Sequence, residues 1–324
     1  MLSEPTVFVI GAGAHVPYGF PTGVGLKEDI LSISVDELPW ERRNPAYRQV
    51  VQHQLDRFKQ DFANSGEPSI DAFLENRKDY LEIGKFCIAA KIISYEASNR
   101  IEDYVKTKGR GQDWLGWFIS QFLRTTKLED FGKNPISFIT FNYDRFLEDT
   151  LFRSLRAKHA AGESEVAAVL KQIPIVHVHG QIGRLRWQEE KTASYYLPMG
   201  SDVDERSVVG AAKCIQIVNE SSEQSEQLAT ANQLLADAKC ILFLGFGYLR
   251  ENLRKLKFPF GDKSKWIDGT AYDATPAQRL NWRNQLFQRG ESADAFPGNS
   301  TWDCLKFLQN CSRLLSQNKL LSDD

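Results

Sequence analysis

Four short runs in this chain are apolar at nearly every position, and each stops at small or polar residues. They span 6–10, 135–142, 174–180 and 239–245. A strand with one wet face alternates apolar with polar residues, whereas a strand buried on both faces does not. Segments with helical spacing lie between the runs, at 144–155 and 223–238. Dry strands alternating with helices demand a parallel sheet with helices on both faces, because each crossover needs a helix-length connection. Trp266 and Ile267 add a further strand. The fold class expected is therefore α/β with an open parallel sheet.

A different pattern interrupts it. Within 28–133, the stretches 40–62, 79–105 and 114–123 carry apolar residues three and four apart, Ile88, Ile92 and Tyr95 among them. This spacing predicts a mostly helical insertion over 28–133 inside a single catalytic domain spanning 1–324. Near the end, Cys304, Leu308, Cys311 and Leu315 make one stripe, with Leu305 beside it, on a C-terminal helix. Such stripes usually pack on the parent domain rather than on a partner. The polar stretches 202–206 and 221–226 are expected to be loops or helix starts.

Composition excludes several functions. With 40 Lys and Arg against 42 Asp and Glu, the net charge is −2, so no basic face for direct nucleic-acid binding is expected. No apolar run reaches the roughly 18 residues of a membrane span. The first residues lack the basic and apolar parts of a secretion signal. Five scattered cysteines form no C-x-x-C pair, which disfavours disulfides and a zinc ribbon. A cytoplasmic protein with reduced thiols is expected.

Ligands of open parallel sheets bind beyond the carboxyl ends of the strands. At those ends stand Gly11-Ala12-Gly13, Asn142-Tyr143-Asp144, His179-Gly180 and Gly245-Phe246-Gly247. The first turn suits a pyrophosphate, since glycine lets backbone approach closely and a following helix start offers unpaired N–H groups. The dehydrogenase fingerprint is broken at Val16, and no acid follows a second strand at the required distance. The bland alternative is a tight turn without a ligand. Asn142 and Asp144, two apart, are expected on one side, to hold ribose hydroxyls or a water; Asp144 also suits a helix cap. His177 and His179 would share a face on a strand. No third ligand suggests a metal site. His179, at the strand end, is the candidate acid/base, and His177 reads as a core histidine.

Taken in order, these pieces resemble the sirtuin superfamily: Gly11-Ala12-Gly13, Gly19-Phe20-Pro21, Thr140-Phe141-Asn142-Tyr143-Asp144, His179-Gly180 and Gly245-Phe246-Gly247. The stretch 241–248 with Asn252, and Ser69-Ile70-Asp71-Ala72-Phe73-Leu74-Glu75, are similar to the sirtuin-like NAD hydrolases of bacterial antiviral defence. The resemblance implies a Rossmann-like, sirtuin-like fold. It differs from the deacylases: only Cys214 and Cys240 lie between His179 and Gly245, too few for their zinc module. Thr22-Gly23-Val24 replaces their acid-Phe-Arg run, and His15 stands where Ser is common.

The resemblance further implies an NAD+ hydrolase releasing nicotinamide and ADP-ribose, with NAD as substrate and no metal. Asn142 and His179 would be catalytic. Gly11, Ala12, Gly13, Pro21, Thr22, Asp144, Gly245, Phe246 and Gly247 would bind the dinucleotide. An antiphage, NAD-depleting effector would be held in check by homo-oligomerisation or by a separately encoded partner such as a nucleic-acid-dependent ATPase. The rival readings are an NAD-dependent deacylase or ADP-ribosyltransferase, and a module that senses NAD or ADP-ribose without cleaving it.

Overall fold

The computed structural model describes residues 2–38, 45–97, 110–123, 127–188, 195–217, 226–257, 264–286 and 297–317. Five parallel strands form one sheet in the order β3-β2-β1-β4-β5. They are β1 (Thr6–Ile10), β2 (Ile136–Thr140), β3 (Ile175–His177), β4 (Cys240–Leu244) and β5 (Trp266–Gly269). Ile10 is level with both Thr140 and Leu244, so the three central strands end in one row. The chain order reverses across β1, and the crevice above such a reversal is where open sheets bind ligands.

The strand residues sort by twos. Phe8, Ile10, Phe138, Leu242 and Leu244 pack on one side, against the helices Phe146–His159, Glu163–Leu170, Trp114–Leu123 and Cys304–Asn310. Val7, Val9, Ile139, Ile241 and Phe243 pack on the other, with Ala231 and Leu235 of the helix Glu226–Asp237. Every position of β1, β2 and β4 is buried, which explains their unbroken apolar runs.

A third core lies away from the sheet. The helices Gly23–Ser32, Pro45–Asn64, Ile70–Asn76 and Leu81–Tyr95 bury Ile30, Phe58, Phe62, Phe73, Leu74 and Ile88 together. Phe58, Phe62, Phe73 and Tyr80 touch ring to ring. The helix Glu205–Cys214 and Ile182, from the chain between β3 and β4, complete this core. The 28–133 stretch is thus divided: its first part builds a helical lobe, whereas Trp114–Leu123 covers the sheet. The lobe also draws on residues after β3.

Several expected bounds shift. The helix after β2 runs Phe146–His159 rather than 144–155, because residues 142–145 leave the strand as a loop and Ala160 ends the helix in the left-handed region at φ 48°. The expected helices 40–62, 79–105 and 223–238 are found as Pro45–Asn64, Leu81–Tyr95 and Glu226–Asp237. Residues 40–44, 98–105 and 221–225 lie outside the described set. The C-terminal stripe breaks at Cys311 into Cys304–Asn310 and Ser312–Gln317, so Leu314 rather than Leu315 is fully buried. Both pieces pack on the sheet, as the bland reading has it. Among the described residues no helix is long and apolar enough to cross a membrane.

Asp268 on β5 gives a stability prediction. It is buried and accepts a hydrogen bond from the Gly269 N–H at 2.7 Å. Burial pushes its carboxyl up from 3.8 to about 7. Between those values the folded chain holds a proton that the unfolded chain has lost, so stability falls as pH rises through that window. Asp268→Asn keeps the acceptor and removes the penalty. It is expected to stabilise the protein by up to roughly 4 kcal/mol at about pH 8, and by less at about pH 5. Urea denaturation at the two pH values checks this; an equal gain at both rules it out.

Candidate active site

The glycine turns after β1 and β4 lie across each other. Gly13 N–H donates to Gly245 O at 2.9 Å, and Gly11 N–H to Leu244 O at 3.0 Å. Gly245 sits at φ 57°, and a Cβ there would stand 1.9 Å from Ala14 N. Neither turn has room for a side chain at the crossing. Gly245 N–H donates to Thr270 Oγ1 at 2.8 Å, tying in the end of β5. The three glycine N–H groups are therefore spent on the protein itself. Among the described residues no acceptor meets the N–H of Ala12, Phe246 or Gly247, and these are the donors left for an anion. The first turn continues as a 3₁₀ turn, Ala12–Ala14, rather than a regular helix start.

Asn142 follows the end of β2. Its backbone N–H donates to Thr140 Oγ1 at 3.0 Å and its side-chain NH₂ to Gly11 O at 3.4 Å. The same nitrogen lies 3.2 Å from His15 Nδ1. The His15 ring is buried among Tyr18, Phe20 and Phe146. Its Nδ1 stands 2.8 Å from Asp144 Oδ1. Burial works to raise the Asp144 carboxyl, but the His15 charge and hydrogen bond, the Phe146 N–H and His177 outweigh it and hold Asp144 below the usual carboxylate range. The ionised carboxylate takes the single Nδ1 proton of His15, and the Asn142 amide rests against the ring with its oxygen left for a ligand. Asp144 also accepts the Phe146 N–H at 3.1 Å, so the cap and the site are one arrangement.

The two strand histidines part company. β3 ends at His177, so the pair does not share a face as the i, i+2 spacing predicts. His177 Nδ1 donates to Asn142 O at 2.8 Å and Nε2 to Glu148 Oε1 at 2.6 Å. Burial opposes its charge, but Glu148 and the Asn142 carbonyl hold its pKa above the ordinary value. It is a doubly donating core imidazolium that pins the Asn142 peptide. His179, beyond the strand, meets Phe141 edge-on and Tyr143 at a tilt, and burial lowers its pKa, only partly offset by Asp71. Neutral imidazole is its form at neutral pH.

Asn142, His179, Gly11, Ala12, Gly13, Pro21, Thr22, Asp144, Gly245, Phe246 and Gly247 all line one cavity of about 350 Å³. Two of them have further work. Thr22 Oγ1 caps the helix Gly23–Ser32 by accepting the Gly25 N–H at 3.1 Å, and the Phe246 ring packs on Phe141 and Phe243. The helical lobe adds Ser69 and Asp71, and the segment after β4 adds Leu249 and Asn252. His15, Asp71 and Thr270 also stand at the site, though the sequence analysis assigns them no role there. Two of them carry a signal in the sequence: His15 stands where Ser is common in the family it resembles, and Asp71 lies within the stretch 69–75. Among the described residues no group of three or more His, Cys, Asp or Glu is placed to hold a metal ion.

Residues 136–258 match the family model of a SIR2-like domain. The matched segment holds Asn142, Asp144, His179 and the second glycine turn, and leaves out the first turn and most of the helical lobe. Among solved structures, a mutant Sir2 homologue in complex with 2′-O-acetyl ADP-ribose is similar at 13% identity and a TM-score of 0.41, over 98% of this chain and 93% of that one. No curated protein matches the chain.

Proposed function

We propose that this SIR2-like chain is an NAD+ hydrolase that cleaves the nicotinamide–ribose bond to give nicotinamide and ADP-ribose. The observation that carries the reading is the meeting of Asn142 and His179 with two crossed glycine turns at one cavity above the chain-order reversal.

The chemistry asks little of the protein. When the bond from C1′ to the pyridinium nitrogen breaks, its electron pair stays on that nitrogen and nicotinamide leaves neutral, so no general acid is needed. Positive charge develops on the ribose, as in glycoside cleavage. Water adds to C1′ and gives up a proton. Ala12, Phe246 and Gly247 N–H groups suit the pyrophosphate. The Asn142 oxygen suits a ribose hydroxyl or the attacking water, and the neutral His179 ring suits the proton. Asp144, ionised and held by His15, adds negative charge on the side where the oxocarbenium forms.

We further propose, on the resemblance to defence hydrolases, a cytoplasmic NAD-depleting effector of antiphage defence. Unchecked NAD loss is toxic, so control by homo-oligomerisation or by a partner such as a nucleic-acid-dependent ATPase belongs to this reading. Purified protein is incubated with NAD, alone and with lysate from infected cells, and the products are separated by chromatography. Nicotinamide with ADP-ribose is the expected result. Binding without release would favour a sensing module, and O-acetyl-ADP-ribose from an acetyl-peptide would favour a deacylase. Light scattering of the eluted protein tests the oligomer.

A further inference from the structure

His179 Nδ1 is buried and no hydrogen-bond partner meets it. A buried ring nitrogen without a partner is costly, and Asp71 Oδ1 stands 4.0 Å from it. Asp71 sits in the first turn of the helix Ile70–Asn76, so it reaches the sheet from the helical lobe. It lines the same cavity, and the Tyr143 hydroxyl donates to that same oxygen. Tyr143 stands between Asn142 and Asp144, so its hydroxyl anchors Asp71 to the catalytic loop. Four residues on, Glu75 pairs with Lys255 of the helix Arg250–Lys255, which holds the lobe helix over the site.

We propose that Asp71 is the positioning residue for His179: it accepts the Nδ1 proton, so that Nε2 is the nitrogen with the free lone pair. A shift of about 1 Å brings the contact to hydrogen-bond length. Free imidazole has no fixed tautomer; a carboxylate on one nitrogen fixes it and makes the other a better base. The helical lobe thus contributes to the chemistry through Asp71 as well as roofing the cavity. The charged groups acting on His179 are Asp71 and Glu75, which favour its protonation, and Lys255, which opposes it.

This inference rests on the hydrolase reading for its kinetics but has a test without them. In protein labelled with ¹⁵N-histidine, the His179 signal is assigned by its loss in His179→Gln. The wild-type ring is expected as the Nδ1–H tautomer, and Asp71→Ala is expected to turn it to Nε2–H. A ring indifferent to Asp71→Ala overturns the proposal. In NAD turnover, Asp71→Asn keeps the side-chain shape and is expected to lower kcat by roughly 10–100-fold with KM within about 3-fold. It is also expected to move the acid limb of the pH profile to lower pH, because a carboxylate that favours imidazolium is gone. Wild-type kcat with an unmoved acid limb overturns it as well. A tautomer that depends on Asp71 in a protein that releases no nicotinamide would keep the positioning role and sink the hydrolase reading instead.

Discussion

Asn142→Ala and His179→Ala are each expected to cut nicotinamide release from NAD by at least ~100-fold. Neither residue holds much of the fold together. The Asn142 side chain gives up one long hydrogen bond to Gly11 O, at 3.4 Å, and a contact with His15. His179 gives up ring packing against Phe141 and Tyr143 and a ring contact with the Gln216 backbone. Each loss is of order 1–3 kcal/mol in stability, within what a folded domain tolerates. His177→Ala supplies the contrast. It strips Glu148 and the Asn142 carbonyl of their donors in a buried place, so it should lower the melting temperature as well as the rate. Steady-state kinetics and thermal melts of the three variants separate the roles. Wild-type turnover in both Asn142→Ala and His179→Ala would refute the assignment.

What the sequence made legible follows from what burial does to residue choice. Strands dry on both faces admit only apolar side chains, so 6–10 and 240–244 stand out as runs, and their ends stand out by contrast. Glycines crowded by backbone, as Gly11, Gly13 and Gly245 are, cannot be anything else. The lobe contributions were hidden. Asp71 and Tyr143 are 72 positions apart and meet through the fold. The share of the helical core supplied by 205–214 was hidden too, since periodicity tells that a helix has an apolar face but not what covers it. His177 reads correctly as core and His179 as cavity-lining, but the shared face expected for them fails because β3 ends at His177 and strand alternation does not continue to 179. The Asn142–His15–Asp144 arrangement rests on a bend after Thr140 that no propensity announces.

Hydropathy was least able to foresee the pair behind the loop. Arg145 and Glu96 are 0% and 1% exposed. Arg145 offers its backbone N–H at 2.7 Å and Nε at 3.2 Å to Glu96 Oε1, and a terminal nitrogen to Oε2. The remaining nitrogen donates to Leu197 O and Gly183 O. One guanidinium thereby joins the end of the helix Leu81–Tyr95 and the start of Phe146–His159 to the carbonyls of Gly183 and Leu197. Burial works against the Arg145 charge, yet Glu96 outweighs it and holds the guanidinium above its ordinary pKa. Removing either partner leaves a buried charge without its mate. Arg145→Met and Glu96→Leu are each expected to cost about 3–5 kcal/mol, and the double variant carrying both less than the sum of the two. Urea denaturation of the cycle measures it; single losses under about 1 kcal/mol, or strict additivity, would refute the clamp. Arg145 adjoins Asp144, so a variant that still folds should also lose turnover, because this side chain and the Tyr143 hydroxyl on Asp71 together moor the loop that carries Asn142 and Asp144 to the helical lobe.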